Sequence, residues 1–168
     1  MATSPYRQGF SLVELLMTLL LTSTGLLGLA ALQGKAIRHT LMATQHQSAI
    51  LLAQDLLEQL RADAANAPAY HFERLPASDV ALDDCQASGS PLTIAQRIAC
   101  WALDVENKLA AARALEHEFH LCHSSQSGLC NGGSSLELQL AWQPAGNGCA
   151  LPGEQPTATC RYRLRTEP

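Results

Sequence analysis

From Phe10 to Leu32 the chain is apolar apart from a few hydroxyls and one carboxylate, Glu14. Coiled as a helix, that run reaches about 35 Å, enough to cross a bilayer core of about 30 Å. Beyond Lys35 the pattern becomes amphipathic. Ala49, Leu52, Ala53, Leu56, Leu57 and Leu60 recur at the three-to-four spacing of one helical face, while Gln47, Gln54, Asp55, Glu58 and Arg61 fall mostly outside it. Such a face needs a partner, which the domain's own sheet supplies more simply than a separate coiled-coil strand. Asn66 and Pro68 end the pattern, so one continuous helix from Phe10 to near Ala65 is expected, about 80 Å long.

Residues 69–90 carry the prolines and acids of an irregular connection. Asp79, Asp83 and Asp84 lack the spacing of a calcium loop and read as a solvated acidic turn. Ser90 and Pro91 then predict an N-cap and a first helical residue. Ile94, Ile98, Trp101, Val105, Leu109 and Ala112 mark a second amphipathic helix, ending before Cys122, with Trp101 as its anchor to the core. After that the period changes to two. Leu136, Leu138, Leu140 and Trp142 alternate with Glu137, Gln139 and Ala141, and Ala158, Cys160, Tyr162 and Leu164 alternate with Thr159, Arg161, Arg163 and Arg165. Two antiparallel, half-buried strands joined by a Pro- and Gly-rich loop satisfy this pattern. The arginine row either recognises an acidic neighbour or keeps an edge strand from pairing with other sheets. The fold class expected is therefore α+β.

Composition narrows the functional classes. The 168 residues have a formal net charge of −4 and no cluster of Lys and Arg interleaved with aromatics, so no nucleic-acid partner is expected. About 130 residues follow the apolar run, which fits one domain. Six cysteines, at 85, 100, 122, 130, 149 and 160, all lie beyond that run and imply an oxidising compartment. Arg7 in front of the run agrees with a head outside the cytoplasm, against which Lys35 and Arg38 count. Six cysteines allow 15 complete pairings. Were residues 101–119 one straight helix, Cys100 could not easily reach Cys122. Pairing in chain order is chosen: Cys85 with Cys100, Cys122 with Cys130, and Cys149 with Cys160. His117, His120, Cys122, His123 and Cys130 raise a zinc hypothesis, with His117 and His120, at i and i+3, on one helix face. The simpler reading, a surface histidine patch beside a disulfide, is preferred, and no metal is expected. No nucleophile, base and oxyanion donors assemble from the remaining residues, so neither an enzyme nor a cofactor is expected.

Glu14 calls for an explanation, because a carboxylate at the centre of a spanning helix costs about 2.5 to 3.5 kcal/mol on insertion scales. A cleaved secretory signal does not account for it, since the apolar run is too long and no small-residue cleavage site follows. A plain signal anchor gives no role to Gly9 or Glu14. The run Gly9-Phe10-Ser11-Leu12-Val13-Glu14 resembles the class III signal of type IV pilins and pseudopilins. The run Gly25-Leu26-Leu27-Gly28-Leu29-Ala30-Ala31-Leu32-Gln33 at the following offset resembles the segment that distinguishes the PilV family of minor pilins. Small residues there also promote close helix packing and soften the helix.

The resemblance implies a type IV pilin-like fold with three parts: a leader over 1–9, the transmembrane half of the helix over 10–33, and a periplasmic head over 34–168. It implies cleavage after Gly9 by prepilin peptidase and methylation of Phe10. Glu14 would pair with the N-terminal amine of a neighbouring subunit and so set assembly register. The implied function is that of a minor pilin in type IV pilus initiation, supporting twitching motility and adhesion. Its implied partners are other minor pilins, the major pilin, a tip protein and the inner membrane. A minor pseudopilin of a type II secretion system and a tip adhesin with its own ligand are the alternatives.

Overall fold

The computed structural model describes residues 11–86, 91–144, 148–149 and 157–166. The chain divides into two compact units, Met1–Thr40 and Leu41–Pro168. Helix α1 (Leu12–Ala62) begins in the first and ends in the second, and its 51 residues continue through Gly25, Gly28 and Gly34. In the first unit its large apolar side chains are exposed throughout. By length and composition it is the helix of the described residues able to cross a membrane.

The second unit is α+β. Within α1 the buried residues are Ala49, Leu52, Ala53, Leu56 and Leu57, the face marked by the three-to-four spacing. The helix stops at Ala62 and the chain tightens into a 3-10 segment, Ala64–Tyr70, that contains Pro68. A short helix α2 (Leu82–Gln86) precedes α3 (Ile94–Lys108). A second 3-10 segment, Arg113–Glu118, leads into β1 (His120–Ser124), β2 (Ser135–Trp142) and β3 (Cys160–Thr166). The strands form one antiparallel sheet in the order β1-β2-β3.

The apolar face of the sheet carries Leu121, Leu136, Leu138, Leu140, Trp142, Cys160, Tyr162 and Leu164, which join the buried faces of α1 and α3 in one core. Trp101 is central to it: its ring lies 5.7 Å from that of Phe72, and its indole N–H donates to the carbonyl of Leu52 at 2.9 Å. That bond satisfies a polar group which burial would otherwise leave unpaired.

Five sequence expectations need correction. Helix α3 is capped by Thr93, whose side chain and Gln96 form a reciprocal capping box, so Pro91 lies outside the helix; Ser90 lies outside the described residues. The capping box satisfies donors that a cap at Ser90 would not reach. Helix α3 ends at Lys108, far short of Phe119, so the straight-helix premise used for Cys100 and Cys122 does not hold. Among the described residues the sheet has three strands, because His120–Ser124 is a strand hidden in a segment without clear alternation. Strand β3 starts at Cys160, which leaves Ala158 outside it. Lastly, β2 is buried on both faces, including Glu137 at 0% and Gln139 at 4% exposure. It is the central strand, flanked by β1 and β3, and the chain covers its second face as well.

Candidate functional site

At the start of α1, the amide of Leu15 donates to the carbonyl of Ser11, and Glu14 occupies the first turn. A carboxylate is favourable there because it meets the unpaired amides at the positive end of the helix dipole. Leu12, Val13, Leu15 and Leu16, more than half exposed, surround it with apolar surface. Gly9 and Phe10 lie outside the described residues. Further along, the hydroxyls of Thr18, Thr22, Ser23 and Thr24 each donate to a carbonyl three or four residues back. Polar groups satisfied within the helix in this way suit a hydrocarbon surrounding.

A second set of polar residues lies on the face of the sheet away from the core. Register places His120 opposite Gln139, Cys122 opposite Glu137, Gln139 opposite Arg163 and Glu137 opposite Arg165. The Glu137 carboxylate accepts from the amide of Gly128 at 2.6 Å and lies 3.2 Å from His120 Nε2, while Arg165 Nε approaches its other oxygen to 3.3 Å. Arg163 donates to Gln139. Arg161 grips Glu118 with two parallel bonds of 2.8 and 2.9 Å. That fork holds the Glu118 carboxyl below its usual range, and Glu118 in turn raises Arg161. The arginine row is therefore paired within the chain's own fold, a role absent from both sequence readings of it. Glu137 and Gln139 on alternate positions of one strand pattern, against Arg163 and Arg165 on the other, were the signal available for part of it.

The β1–β2 loop covers part of this face. A disulfide joins Cys122 to Cys130 across it, Gly132 donates to the carbonyl of His123, and Asn131 accepts from the amide of Ser125. Gly128 has φ of +86°, a conformation favouring glycine, and so delivers its amide to Glu137. The other disulfides join Cys85 to Cys100, linking α2 to α3, and Cys149 to Cys160 at the start of β3. The histidine cluster is dispersed. His117 lies exposed in the 3-10 segment, His120 is buried on the polar face, and His123 is exposed on the opposite face of β1. His117 and His120 thus share no helix, and His120 is not a surface residue. His71, brought beside β1 by the Phe72–Leu121 bridge, packs edge-on against His123 at 5.1 Å. Burial, then the neighbouring His123, pushes its pKa down.

Asp63, just past α1, receives bonds from Asn66 and from Arg97 of α3, both at 2.7 Å, and Arg97 also lies over the Tyr70 ring. The Asn66 bond, then that from Arg97, lowers the Asp63 pKa, whereas burial raises that of Tyr70. Asp55, Gln59, Arg97, Trp101 and the Cys85–Cys100 bridge line an open cleft of about 350 Å³ between α1, α2 and α3.

Residues 4–30 match the family model described as the prokaryotic N-terminal methylation motif. The segment is a type IV pilin-like prepilin signal. It ends inside the exposed apolar part of α1, and the long helix followed by a small antiparallel sheet is a type IV pilin-like α+β arrangement. The motif supports processing by prepilin peptidase and a part in pilus or pseudopilus assembly. No curated protein and no solved structure matches the chain significantly.

Proposed function

We propose that this chain is a minor pilin of the PilV kind, made as a precursor with a leader over 1–9 and anchored in the inner membrane through residues 10–33. Its head, residues 34–168, lies in the periplasm before incorporation into a pilus. The observation that carries the proposal is the methylation motif over residues 4–30, coupled to an apolar run from Phe10 to Leu32 whose sole carboxylate, Glu14, stands in the first turn of α1. Prepilin peptidase cuts after Gly9, Phe10 becomes the methylated N-terminus, and the new amine of one subunit meets Glu14 of a neighbour. Two opposite charges can enter an apolar core as a pair, whereas one alone is strongly destabilised. Glu14 therefore sets register between subunits. The chain acts by assembly with other minor pilins, the major pilin and a tip protein, and twitching motility depends on it through the pilus rather than through catalysis.

The test begins with N-terminal sequencing of the mature protein. The expected first residue is methylated phenylalanine, and replacing Gly9 by a bulky residue should leave the precursor uncut. A wild-type chain starting at Met1 or Ala2 would remove the basis of the proposal. Copurification then separates the systems: recovery with pilus subunits supports the minor-pilin reading, and recovery with secretion-system pseudopilins replaces it.

A further inference from the structure

We propose that His120, Cys122 and Cys130 form a latent zinc site, closed while the two sulfurs are joined and opened when a dithiol reductant separates them. One donor atom from each of the three residues lies within 4.8 Å of the other two. An imidazole and two thiolates suit Zn²⁺, which binds nitrogen and sulfur donors tetrahedrally and takes a fourth ligand from water where the protein supplies three. In the disulfide neither sulfur is a thiolate, so the set is incomplete.

A second observation points to the same place. The Glu137 side chain is wholly buried, and one oxygen stands 3.2 Å from His120 Nε2. Its other oxygen is buried without a hydrogen bond, with Arg165 Nε at ion-pair distance. A carboxylate accepting the Nε2–H of a neutral histidine leaves the lone pair on Nδ1. That is the carboxylate–histidine arrangement which orients metal-binding imidazoles in zinc sites. The amide of Gly128, in the loop between Cys122 and Cys130, holds the same carboxylate in place.

Access also favours this bridge. Of the six cysteines, Cys130 alone is exposed, so an incoming thiolate reaches its sulfur first. The exchange balances: the dithiol is oxidised to a disulfide, its two electrons break the Cys122–Cys130 bond, and its two protons give two thiols. Zn²⁺ then displaces those protons, and metal coordination replaces the covalent closure of the β1–β2 loop.

The test uses the full chain in detergent micelles, opened with a limiting amount of a phosphine, which becomes the phosphine oxide with water supplying the oxygen and the thiol protons. Zinc is then added, excess is removed, and metal content and cysteine alkylation are measured. The reduced chain should retain equimolar zinc, the oxidised chain none, and zinc should shield Cys122 and Cys130 from alkylation. Glu137→Gln should weaken zinc binding about 10- to 100-fold, and His120→Gln should weaken it at least as much. The alkylation map of the wild-type chain does not depend on whether either variant folds. The proposal is overturned if the reduced chain retains no zinc, if the oxidised chain binds it equally well, if protection falls on another cysteine pair, or if folded His120→Gln binds zinc as tightly as wild type.

Discussion

Single side chains in the head act mainly by closing the hydrogen-bond requirements of buried groups. Trp101 illustrates this, because its indole N–H reaches the Leu52 carbonyl from a fully packed position. Trp101→Phe should keep much of the apolar contact and leave the polar environment altered, costing about 1 to 3 kcal/mol in a denaturant titration of the head. The Arg161–Glu118 fork is more exposed, at 36% and 23% of the two side chains. Arg161→Ala should therefore cost no more than about 1 kcal/mol. Its signature is pH dependence. The Glu118 pKa is lowered in the fold, chiefly by Arg161, and that of Asp63 is lowered chiefly by Asn66. A carboxyl depressed on folding contributes stability above its unfolded value, near 4.5 for Glu118 and 3.8 for Asp63, and loses it as pH falls through the folded value. Melting temperature should thus decline in wild type as pH is taken below those values, and decline less in Arg161→Ala. An equal slope in both proteins would remove the fork as its source.

At the scale of elements, caps and charges decide where helices begin and what they can join. The box between Thr93 and Gln96 starts α3, and Thr93→Ala should lower stability by about 1 kcal/mol; a change confined within error would show that the end of α3 is held by packing alone. Glu14 belongs to the start of α1, where among the described residues only the helix end neutralises it. Under the proposed registry role, Glu14→Ala should still be inserted and cleaved but should enter pili poorly, because a neighbouring amine would be buried without a counter-charge. Normal piliation and twitching by that variant would contradict the role.

For the whole molecule, the second unit contains the sheet, the core and all three disulfides. Freed of residues 10–33, the remainder is expected to be soluble when made in an oxidising compartment. Bridges closing loops of this size contribute about 2 to 4 kcal/mol each in the chain-entropy account, a large share of a small domain's stability. Complete reduction should lower the melting temperature by more than about 10 °C. Cys160→Ser should be the most damaging single cysteine change, since Cys160 is buried in the core and its bridge ties Cys149 to the final strand. Calorimetry of the six single variants would show whether another bridge matters more.

Local pattern determined much by itself. An unbroken apolar run can only be shielded by lipid or by other helices, and a three-to-four stripe can only be buried on one side, so α1, the core face of α3 and the inward residues of β3 follow from periodicity. The N-terminal methylation motif over residues 4–30 is likewise a linear pattern, carried by neighbouring residues along the chain. The tertiary structure decided what depends on residues distant in sequence. Strand β1 is short and mixes His, Leu, Cys and Ser, so its character comes from the neighbours supplied by β2 and Phe72. The burial of His120 and Glu137 depends on a loop closed over them, and the employment of the arginines depends on strand register. A polar residue looks solvated when only its near neighbours in the chain are known; burial is set by what the rest of the chain brings against it, and that is a property of three dimensions.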